Sequence, residues 1–166
     1  IKYMNLLSNC LLEGNTRKTR NSIVLSYFSK EIELDLTKGF PLLTSKKMFW
    51  RGIVEELLFF IRGDTNTLHL EEKKINIWKG NTSREFLDKM GLNYKEGDMG
   101  PMYGYQLRHY NKPYDKEGFG IDQMKELIHM IRTDPRSRRL LMTTYNPAQV
   151  KEGVLYPCHS LILQFY

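Results

Sequence analysis

The sequence predicts one α+β domain in which helices pack on a mixed β-sheet. Stretches with apolar residues at helical spacing are interspersed along the chain with short stretches in which apolar and polar residues alternate. No internal repeat or low-complexity tract interrupts this order. The chain of 166 residues is 41% hydrophobic, which is enough for one sizeable core. Residues 1–166 are therefore predicted to form a single domain.

The amino-terminal part of the chain is predicted to contain two helices and two strands. Apolar residues at helical spacing stop before Gly14 and, further on, before Gly63, and glycine commonly ends a helix. Ser45 is the candidate cap of the longer helix. In chain order the elements are a helix at 4–12, a basic loop at 15–21, strands at 23–27 and 31–36, and a helix at 45–62.

The remaining elements follow after residue 80. The last helix has a predicted apolar face made by Met124, Leu127, Ile128 and Ile131. Glycine and aromatic residues are frequent in residues 97–110, which favours a pocket-lining loop over a packed element. The elements are helices at 83–90 and 121–132, a loop at 97–110, and strands at 140–145 and 160–166.

Composition narrows the classes of function. A net charge of +6 favours anionic ligands, such as nucleotide phosphates, a polycarboxylate cofactor or nucleic acid, although a solvated basic surface also explains it. No signal peptide and no apolar run of roughly 18 to 20 residues is found, so a cytoplasmic protein without a membrane contact is expected. Cys10 and Cys158 stand in different contexts, which argues against a disulfide framework.

Cys158 is the candidate nucleophile. It follows a proline in Leu-Tyr-Pro-Cys-His and precedes a predicted strand, where a thiolate would be presented by a loop. The alternative is a small buried hydrophobe. His159 should face away from the sulfur if the strand has begun, because successive side chains on a strand alternate. The histidines lack metal-ligand spacing, so no metal is expected.

Two adjacent glutamates are predicted to differ in role. Glu55 shares a helix face with Arg51 and Arg62, where an i, i+4 ion pair explains it. Glu56 lies beside Phe60 and other apolar residues. It is therefore a candidate for relaying protons, or alternatively for binding a backbone amide.

Arginine and aromatic residues supply further candidates. Arg136, Arg138 and Arg139 cluster before a strand, and guanidinium groups suit a phosphate, although such a cluster also occurs in solvated turns. Tyr103 and Trp78 are able to stack on a flat ring or to belong to the core.

Several stretches, in order and spacing, resemble thymidylate synthase from about Tyr3 to Tyr166. They are Asp-Leu-Thr-Lys-Gly-Phe-Pro-Leu-Leu-Thr at 35–44, Glu-Leu-Leu at 56–58, Arg-Gly-Asp-Thr-Asn at 62–66, Gly-Asp-Met-Gly-Pro-Met-Tyr-Gly at 97–104, Asp-Pro-Arg-Ser-Arg-Arg at 134–139, Tyr-Asn-Pro at 145–147, and Pro-Cys-His through Gln-Phe at 157–165.

The resemblance implies a thymidylate synthase-like fold whose sheet is used for dimerisation. It also implies a reaction, methyl transfer to C5 of dUMP with 5,10-methylenetetrahydrofolate as the donor of the carbon and the hydride. Cys158 would add to C6 of the pyrimidine, Glu56 would manage protons through water, and Tyr103 would assist removal of the C5 proton.

The resemblance also implies binding residues. Arg20 would close on the nucleotide phosphate, or Arg17 if the loop register slips, and Arg138 and Arg139 would reach the partner's phosphate in a homodimer. The folate pocket would be lined by four residues, namely Ile77, Trp78, Asn81 and Leu155.

Several questions about the function stay open at this point. The family segments that recognise the base and the sugar would follow Tyr166, so the isolated 166-residue chain is expected to be inactive and its choice between uracil and cytosine is not decided. A deoxypyrimidine hydroxymethylase of the same superfamily would use the same cysteine but end with water. A fused dihydrofolate reductase before Ile1 is a further hypothesis. A non-catalytic chain that binds RNA or a partner subunit agrees with the charge, but the combination of Cys158, Glu56 and Tyr103 argues against it.

Overall fold

A computed structural model describes residues 2–19 and 21–166, which divide into two compact units, Ile1–Met48 and Phe49–Tyr166. The described residues contain helices and two small antiparallel sheets, in agreement with the α+β prediction. No helix in this part of the chain is long and apolar enough to cross a membrane. Glu56, Tyr103 and Cys158 all lie in the second unit.

The first unit consists of a helix, a hairpin and a short 3-10 turn. The predicted helix is confirmed as α1. Part of the predicted basic loop is instead a strand, β1, which pairs antiparallel with β2. The prediction missed this strand because its residues show no alternation of apolar and polar side chains. The strand predicted at 31–36 is wrong: Asp35 instead accepts a hydrogen bond from the amide of Thr37 and caps the 3-10 turn. The elements are α1 (Lys2–Glu13), β1 (Asn15–Lys18), β2 (Ile23–Ser26) and the turn Leu36–Lys38.

The second unit carries the remaining elements. Two of its helices begin at side-chain caps, as Ser83 accepts from the amide of Phe86 and Asp122 accepts from the amide of Lys125. Its elements are α2 (Trp50–Arg62), α3 (Leu68–Glu71), α4 (Arg84–Met90), α5 (Gly104–His109), α6 (Gln123–Thr133), β3 (Leu141–Thr143) and β4 (Ile162–Gln164).

The start of α2 differs from the prediction. The helix begins at Trp50 and not at Ser45, and Phe49 precedes it without a side-chain cap. A start at Ser45 would have placed Lys46 and Lys47 at the positive end of the helix dipole. The predicted end is confirmed, since Gly63 adopts φ 76° and its amide donates to carbonyls of the last helical turn.

Residues 97–110 form part of the core, which corrects the prediction of a pocket-lining loop. Met99, Met102 and Tyr103 are buried, and so are the first four residues of α5. The glycine that suggested a loop serves close packing here, because Gly104 lies against the backbone of Phe60 on α2.

Helix α6 presents a different apolar face from the predicted one. Leu127 is buried, and Met124 and Met130 pack against the same core. Ile128 and Ile131 were predicted to join them but are exposed by 45% and 42%. The contact stripe therefore runs through positions spaced by three residues, rotated from the predicted face.

The sheet of the second unit is a two-stranded antiparallel pair. Met142 lies opposite Leu163 on the face that packs on the core, while Leu141 and Ile162 lie on the other face and are exposed. Both strands are confirmed but shorter than predicted. Ser160 adopts φ 52°, which is incompatible with an extended strand, so β4 begins only after it.

One charged group joins three helices of this unit. Arg108 on α5 donates to both carboxylate oxygens of Asp122 at 2.9–3.0 Å and to the carbonyl of Ile61 at 3.0 Å. Burial acts to raise the pKa of Asp122, but the hydrogen bonds from Arg108 and from the amide of Lys125 outweigh it and lower the pKa.

Asp122→Asn is expected to lower the free energy of unfolding by about 1 kcal/mol near neutral pH, because it removes a bidentate, partly exposed ion pair. A carboxyl with a lowered folded-state pKa stabilises above its unfolded pKa, so the difference should shrink below about pH 4. Urea unfolding at several pH values measures this. Asp88→Asn, at the more exposed pair with Arg84, should change little, and equal effects of the two variants would contradict the assignment.

Candidate active site

Four side chains from separate segments of the second unit meet at one place. Glu56 comes from α2, Trp78 from the turn before α4, Tyr103 from the start of α5, and Cys158 from the segment before β4. The Cys158 amide donates to Tyr103 Oη at 3.1 Å, and the same oxygen lies 3.7 Å from Cys158 Sγ. Trp78 Nε1 donates to Glu56 Oε1 at 2.7 Å. The three predicted catalytic residues therefore lie in one cluster.

Tyr103 is held by aromatic packing. Its side chain is almost fully buried, its ring stacks on Phe60 at 4.8 Å between centroids, and the Trp78 ring meets it edge-on at 6.1 Å. Because Phe60 and Glu56 are one helical turn apart on α2, the stack also brings the carboxylate toward the phenol. The position of the phenol thus depends on the contact between α2 and α5.

The backbone of Tyr103 is strained. Its φ of 30° and ψ of −88° lie outside the regions that residues with a side chain normally adopt. Such a conformation costs about 1–3 kcal/mol and persists only where surrounding contacts enforce it. Tyr103, whose hydroxyl faces the Cys158 thiol, is therefore held in a conformation that costs free energy.

The phenol of Tyr103 is protonated near neutral pH. Burial raises the pKa of Tyr103 to about 12; the hydrogen bond from the Cys158 amide opposes this, and the contacts with Cys158 Sγ and the Glu56 charge reinforce it. Since the phenol oxygen already accepts from the Cys158 amide, its own proton is free to point at Sγ. Tyr103 can therefore donate a hydrogen bond to a thiolate.

Cys158 is exposed and is not in a disulfide. Within the described residues, no hydrogen bond joins it to His159, whose ring stacks on Tyr103 at 4.7 Å. The prediction that His159 faces away from Cys158 assumed that the strand had begun at these residues. Strand β4 begins later, at Ile162. Here the His159 imidazole stacks on the Tyr103 ring and forms no hydrogen bond with Cys158 among the described residues.

The two adjacent glutamates differ, although the predicted partner of Glu55 is wrong. Lys73 Nζ lies 2.6 Å from Glu55, and this hydrogen bond lowers the pKa of Glu55; Arg51 instead donates to the carbonyl of Lys73. Glu56 binds the indole of Trp78 and not a backbone amide. A buried tryptophan has one donor and needs one acceptor, so Trp78 indicates that an acceptor lies nearby but does not identify it as Glu56.

The residues predicted for the folate pocket differ in exposure. Ile77 is 46% exposed, whereas Asn81 and Leu155 are half-buried. Trp78 is only 8% exposed and packs on Phe60, so little of its ring faces outward. The Asn81 amide donates to the Trp78 carbonyl at 2.9 Å, which keeps these two residues in one turn.

The structure does not join the predicted phosphate-binding arginines to this cluster. Arg138 and Arg139 are exposed on the turn before β3, and Arg138 lines a cleft with Phe165. In residues 2–19 and 21–166, neither side chain takes part in a salt bridge. Arg17 is exposed on β1 of the first unit, and Arg20 lies outside the described residues.

Sequence reasoning missed two contributors to the site. Phe60 was assigned to the apolar face of α2, but it also carries the Tyr103 ring. Gln106 was not singled out, although it is 2% exposed and donates to the Pro101 carbonyl. A glutamine three residues after a candidate catalytic tyrosine, among apolar neighbours, is a usable signal. No group of three or more metal-binding side chains occurs in the described part of the chain.

Known proteins match this chain over almost its whole length. The thymidylate synthase family profile matches residues 1–166. The chain is 44% identical over 172 residues to the bifunctional dihydrofolate reductase-thymidylate synthase of Zea mays, covering 99% of this chain and 33% of the relative. It is also 44% identical over 172 residues to thymidylate synthase of equine herpesvirus 2, covering 99% and 59%. The bifunctional relative of Paramecium tetraurelia is 40% identical, with 99% and 37% covered. The chain thus spans about a third of the bifunctional relatives.

Proposed function

Because this chain belongs to the thymidylate synthase family, we propose that the protein methylates C5 of dUMP to give dTMP, with 5,10-methylenetetrahydrofolate as co-substrate. The observation that carries the proposal is the placement of one phenol between the amide and the sulfur of an exposed cysteine. A nucleophilic thiol needs its thiolate, and the Tyr103 proton is available to stabilise that anion. Cys158 is accessible to a nucleotide.

In the proposed first step, the Cys158 thiolate adds to C6 of the pyrimidine. The S–C6 bond forms, and the electrons of the C5–C6 double bond move toward C5 and O4, so that C5 becomes a carbon nucleophile. Tyr103 loses its anionic acceptor when the sulfur becomes bonded to carbon. Its hydroxyl then becomes available to hydrogen-bond a water near C5.

Proton handling is proposed for Glu56 and Tyr103. The Trp78 indole fixes one oxygen of the Glu56 carboxylate and leaves the other to bind water near O4 and C5. With its pKa raised to about 12, Tyr103 remains a phenol. It therefore assists removal of the C5 proton by orienting the acceptor and not by acting as a phenolate base.

The residues proposed to hold the folate fit a flat, partly apolar ligand. Ile77 offers an exposed apolar surface, Leu155 a half-buried one, and Asn81 a polar group beside them. Trp78 contributes an edge, because most of its ring is in the core. When bound, the folate supplies the one-carbon unit and the hydride. No metal is proposed.

A homodimer is proposed on the outer face of the β3–β4 sheet. Leu141 and Ile162 are exposed on that face, and an apolar sheet surface of this kind favours burial against a second copy. Arg138 and Arg139 precede β3 and have no carboxylate partner among the described residues. We propose that they bind the nucleotide phosphate in the partner subunit. A fused reductase, which the Zea mays relative has by name, stays a hypothesis for this protein.

Product analysis of the protein at its full natural length tests the proposed reaction. With dUMP and methylenetetrahydrofolate, we expect dTMP and dihydrofolate, because the co-substrate gives up its hydride. A hydroxymethylated nucleotide with tetrahydrofolate, or a preference for dCMP, would identify the hydroxymethylase instead. RNA binding that weakens steeply with salt, without any nucleotide product, would favour the non-catalytic alternative.

A further inference from the structure

Three side-chain amides form a buried cluster next to the candidate active site. Gln106, Asn146 and Gln149 are 2%, 4% and 6% exposed. Gln106 Nε2 donates to Gln149 Oε1 at 3.1 Å, and Asn146 Nδ2 donates to Gln106 Oε1 at 3.2 Å and to Gln149 Oε1 at 3.0 Å. Each amide thus binds both of the others.

The backbone fixes the orientation of every amide in this cluster. Gln106 Nε2 donates to the Pro101 carbonyl at 2.8 Å, and Gln149 Nε2 donates to the Lys112 carbonyl at 2.7 Å. Asn146 Oδ1 accepts from the Ala148 amide at 3.0 Å. Because a carbonyl only accepts and an amide N–H only donates, a flipped side chain would lose these bonds. The cluster therefore has one arrangement of donors and acceptors.

Gln106 bridges the strained residue. Its bond to Pro101 spans the backbone from 101 to 106, and Tyr103, with φ of 30°, lies inside that span. The main-chain bonds from Tyr105 to Met102 and from Leu107 to Tyr103 act within the same turn. Gln106 supplies the side-chain bond that closes the turn at its amino-terminal end.

The same cluster adjoins the cysteine segment. Pro157, the neighbour of Cys158, lines a small internal cavity together with Gln106, Asn146 and Gln149. The cluster therefore adjoins both segments that carry the phenol–thiol contact, because Gln106 binds Pro101 in the turn of Tyr103 and Pro157 precedes Cys158.

We propose that Gln106 is a positioning residue for Tyr103, which holds the Pro101 carbonyl and thereby directs the phenol toward Cys158 Sγ. This inference rests on the proposed function, because it assigns Gln106 to the Tyr103-dependent proton step. It is distinct from a general role in stability, which Gln106 would share equally with the similarly buried Gln149. Of the three amides, only Gln106 donates to a carbonyl in the turn that contains Tyr103, namely that of Pro101.

The test compares Gln106→Met and Gln149→Met in the protein at its full natural length. Both changes remove a buried amide of similar shape and leave hydrogen-bond partners unsatisfied, so both should lower the urea concentration at the midpoint of unfolding. Gln106→Met should lower kcat by about tenfold to a hundredfold with little change in KM, because small misplacements of reacting groups are costly. Gln149→Met should lower kcat by less than about threefold at matched stability. Equal losses of kcat would overturn the proposal.

A double-variant cycle isolates the action through Tyr103. In a Tyr103→Phe background, the phenol is absent, so adding Gln106→Met should change kcat by less than about twofold. An equal fractional loss in both backgrounds would mean that Gln106 acts by another route. If wild-type protein forms no dTMP and no adduct with 5-fluoro-dUMP, the proposed function itself fails, which is a different outcome.

Gln106→Glu keeps the proposal testable if Gln106→Met does not fold. A protonated carboxyl is able to donate one hydrogen bond to the Pro101 carbonyl, whereas the ionised form is not. We expect the kcat of this variant, relative to wild type, to recover as the pH is lowered through the carboxyl titration. A ratio of kcat values that does not depend on pH would contradict a role in holding Pro101.

Discussion

Replacing Cys158 with serine is expected to abolish turnover of dUMP, with kcat lower by on the order of a thousandfold or more, since removal of a covalent nucleophile has cost other enzymes about a millionfold. A serine hydroxyl is close to the thiol in size but is a much weaker nucleophile near neutral pH. The Tyr103 hydroxyl binds the backbone amide of residue 158, which serine retains. The variant should therefore be folded and inactive.

The adduct with 5-fluoro-dUMP and methylenetetrahydrofolate provides a direct measurement. Intact-mass analysis should detect a covalent complex in wild-type protein and none in Cys158→Ser. Cys10→Ser is the matched control, because Cys10 lies on α1 in the first unit. It should keep both the adduct and turnover. An adduct that survives in Cys158→Ser would mean that another residue is the nucleophile.

The expected stability of Cys158→Ser separates the chemical role from a structural one. Cys158 is exposed, and substitutions at such positions usually change the free energy of unfolding by less than about 0.5 kcal/mol. Urea unfolding should therefore give the same midpoint for both proteins. A large loss of stability would indicate that the thiol is needed for packing.

The sequence was most informative where one local rule determined the structure. Gly63 ends α2, as predicted, and the helix predicted at 83–90 is confirmed as α4. The strand around Met142 was also predicted correctly. These features depend on a few neighbouring residues, so no long-range contact was needed to predict them.

The errors arose where pairing or packing with distant residues decides the structure. Residues 31–36 alternate like a strand but pair with no strand in the described residues, while β1 has no such pattern and is a strand because β2 lies beside it. In the same way, Ile128 is apolar and lies at helical spacing from Met124, yet its side chain is exposed. Periodicity predicts a face, but the neighbouring elements select which face is used.

The site shows the same division. Cys158 and Glu56 were singled out because their residue types and sequence neighbours suit the chemistry, whereas the catalytic role of Tyr103 was implied by the resemblance to thymidylate synthase. The bond from Trp78 to Glu56 was not found, because it joins residues that are 22 positions apart in the chain and meet only in the fold. Reactive groups were thus found from their chemistry or from family motifs, whereas the pairing of Trp78 with Glu56 required the structure.

Gly104→Ala is expected to have the second large effect, on both stability and turnover. A Cβ at this position would lie 2.7 Å from the carbonyl oxygen and 2.9 Å from Cα of Phe60. These atoms belong to the backbone of α2 and are not able to swing aside, so α5 must move away. Overpacking of this kind typically costs about 1–3 kcal/mol. The movement would also separate the stacked rings of Phe60 and Tyr103, so kcat should fall together with stability.

Gly80→Ala is the matched control for stability. A Cβ there meets no atom within 4 Å, and both substitutions restrict the unfolded chain to the same extent. The difference between the two variants in urea unfolding therefore reports the clash with Phe60 alone. If Gly104→Ala is as stable as Gly80→Ala and retains kcat, the contact between α2 and α5 relaxes without moving Tyr103. In that case the close approach at Gly104 would not be what holds the phenol over Cys158, and the support would come from the Gln106 side of the turn.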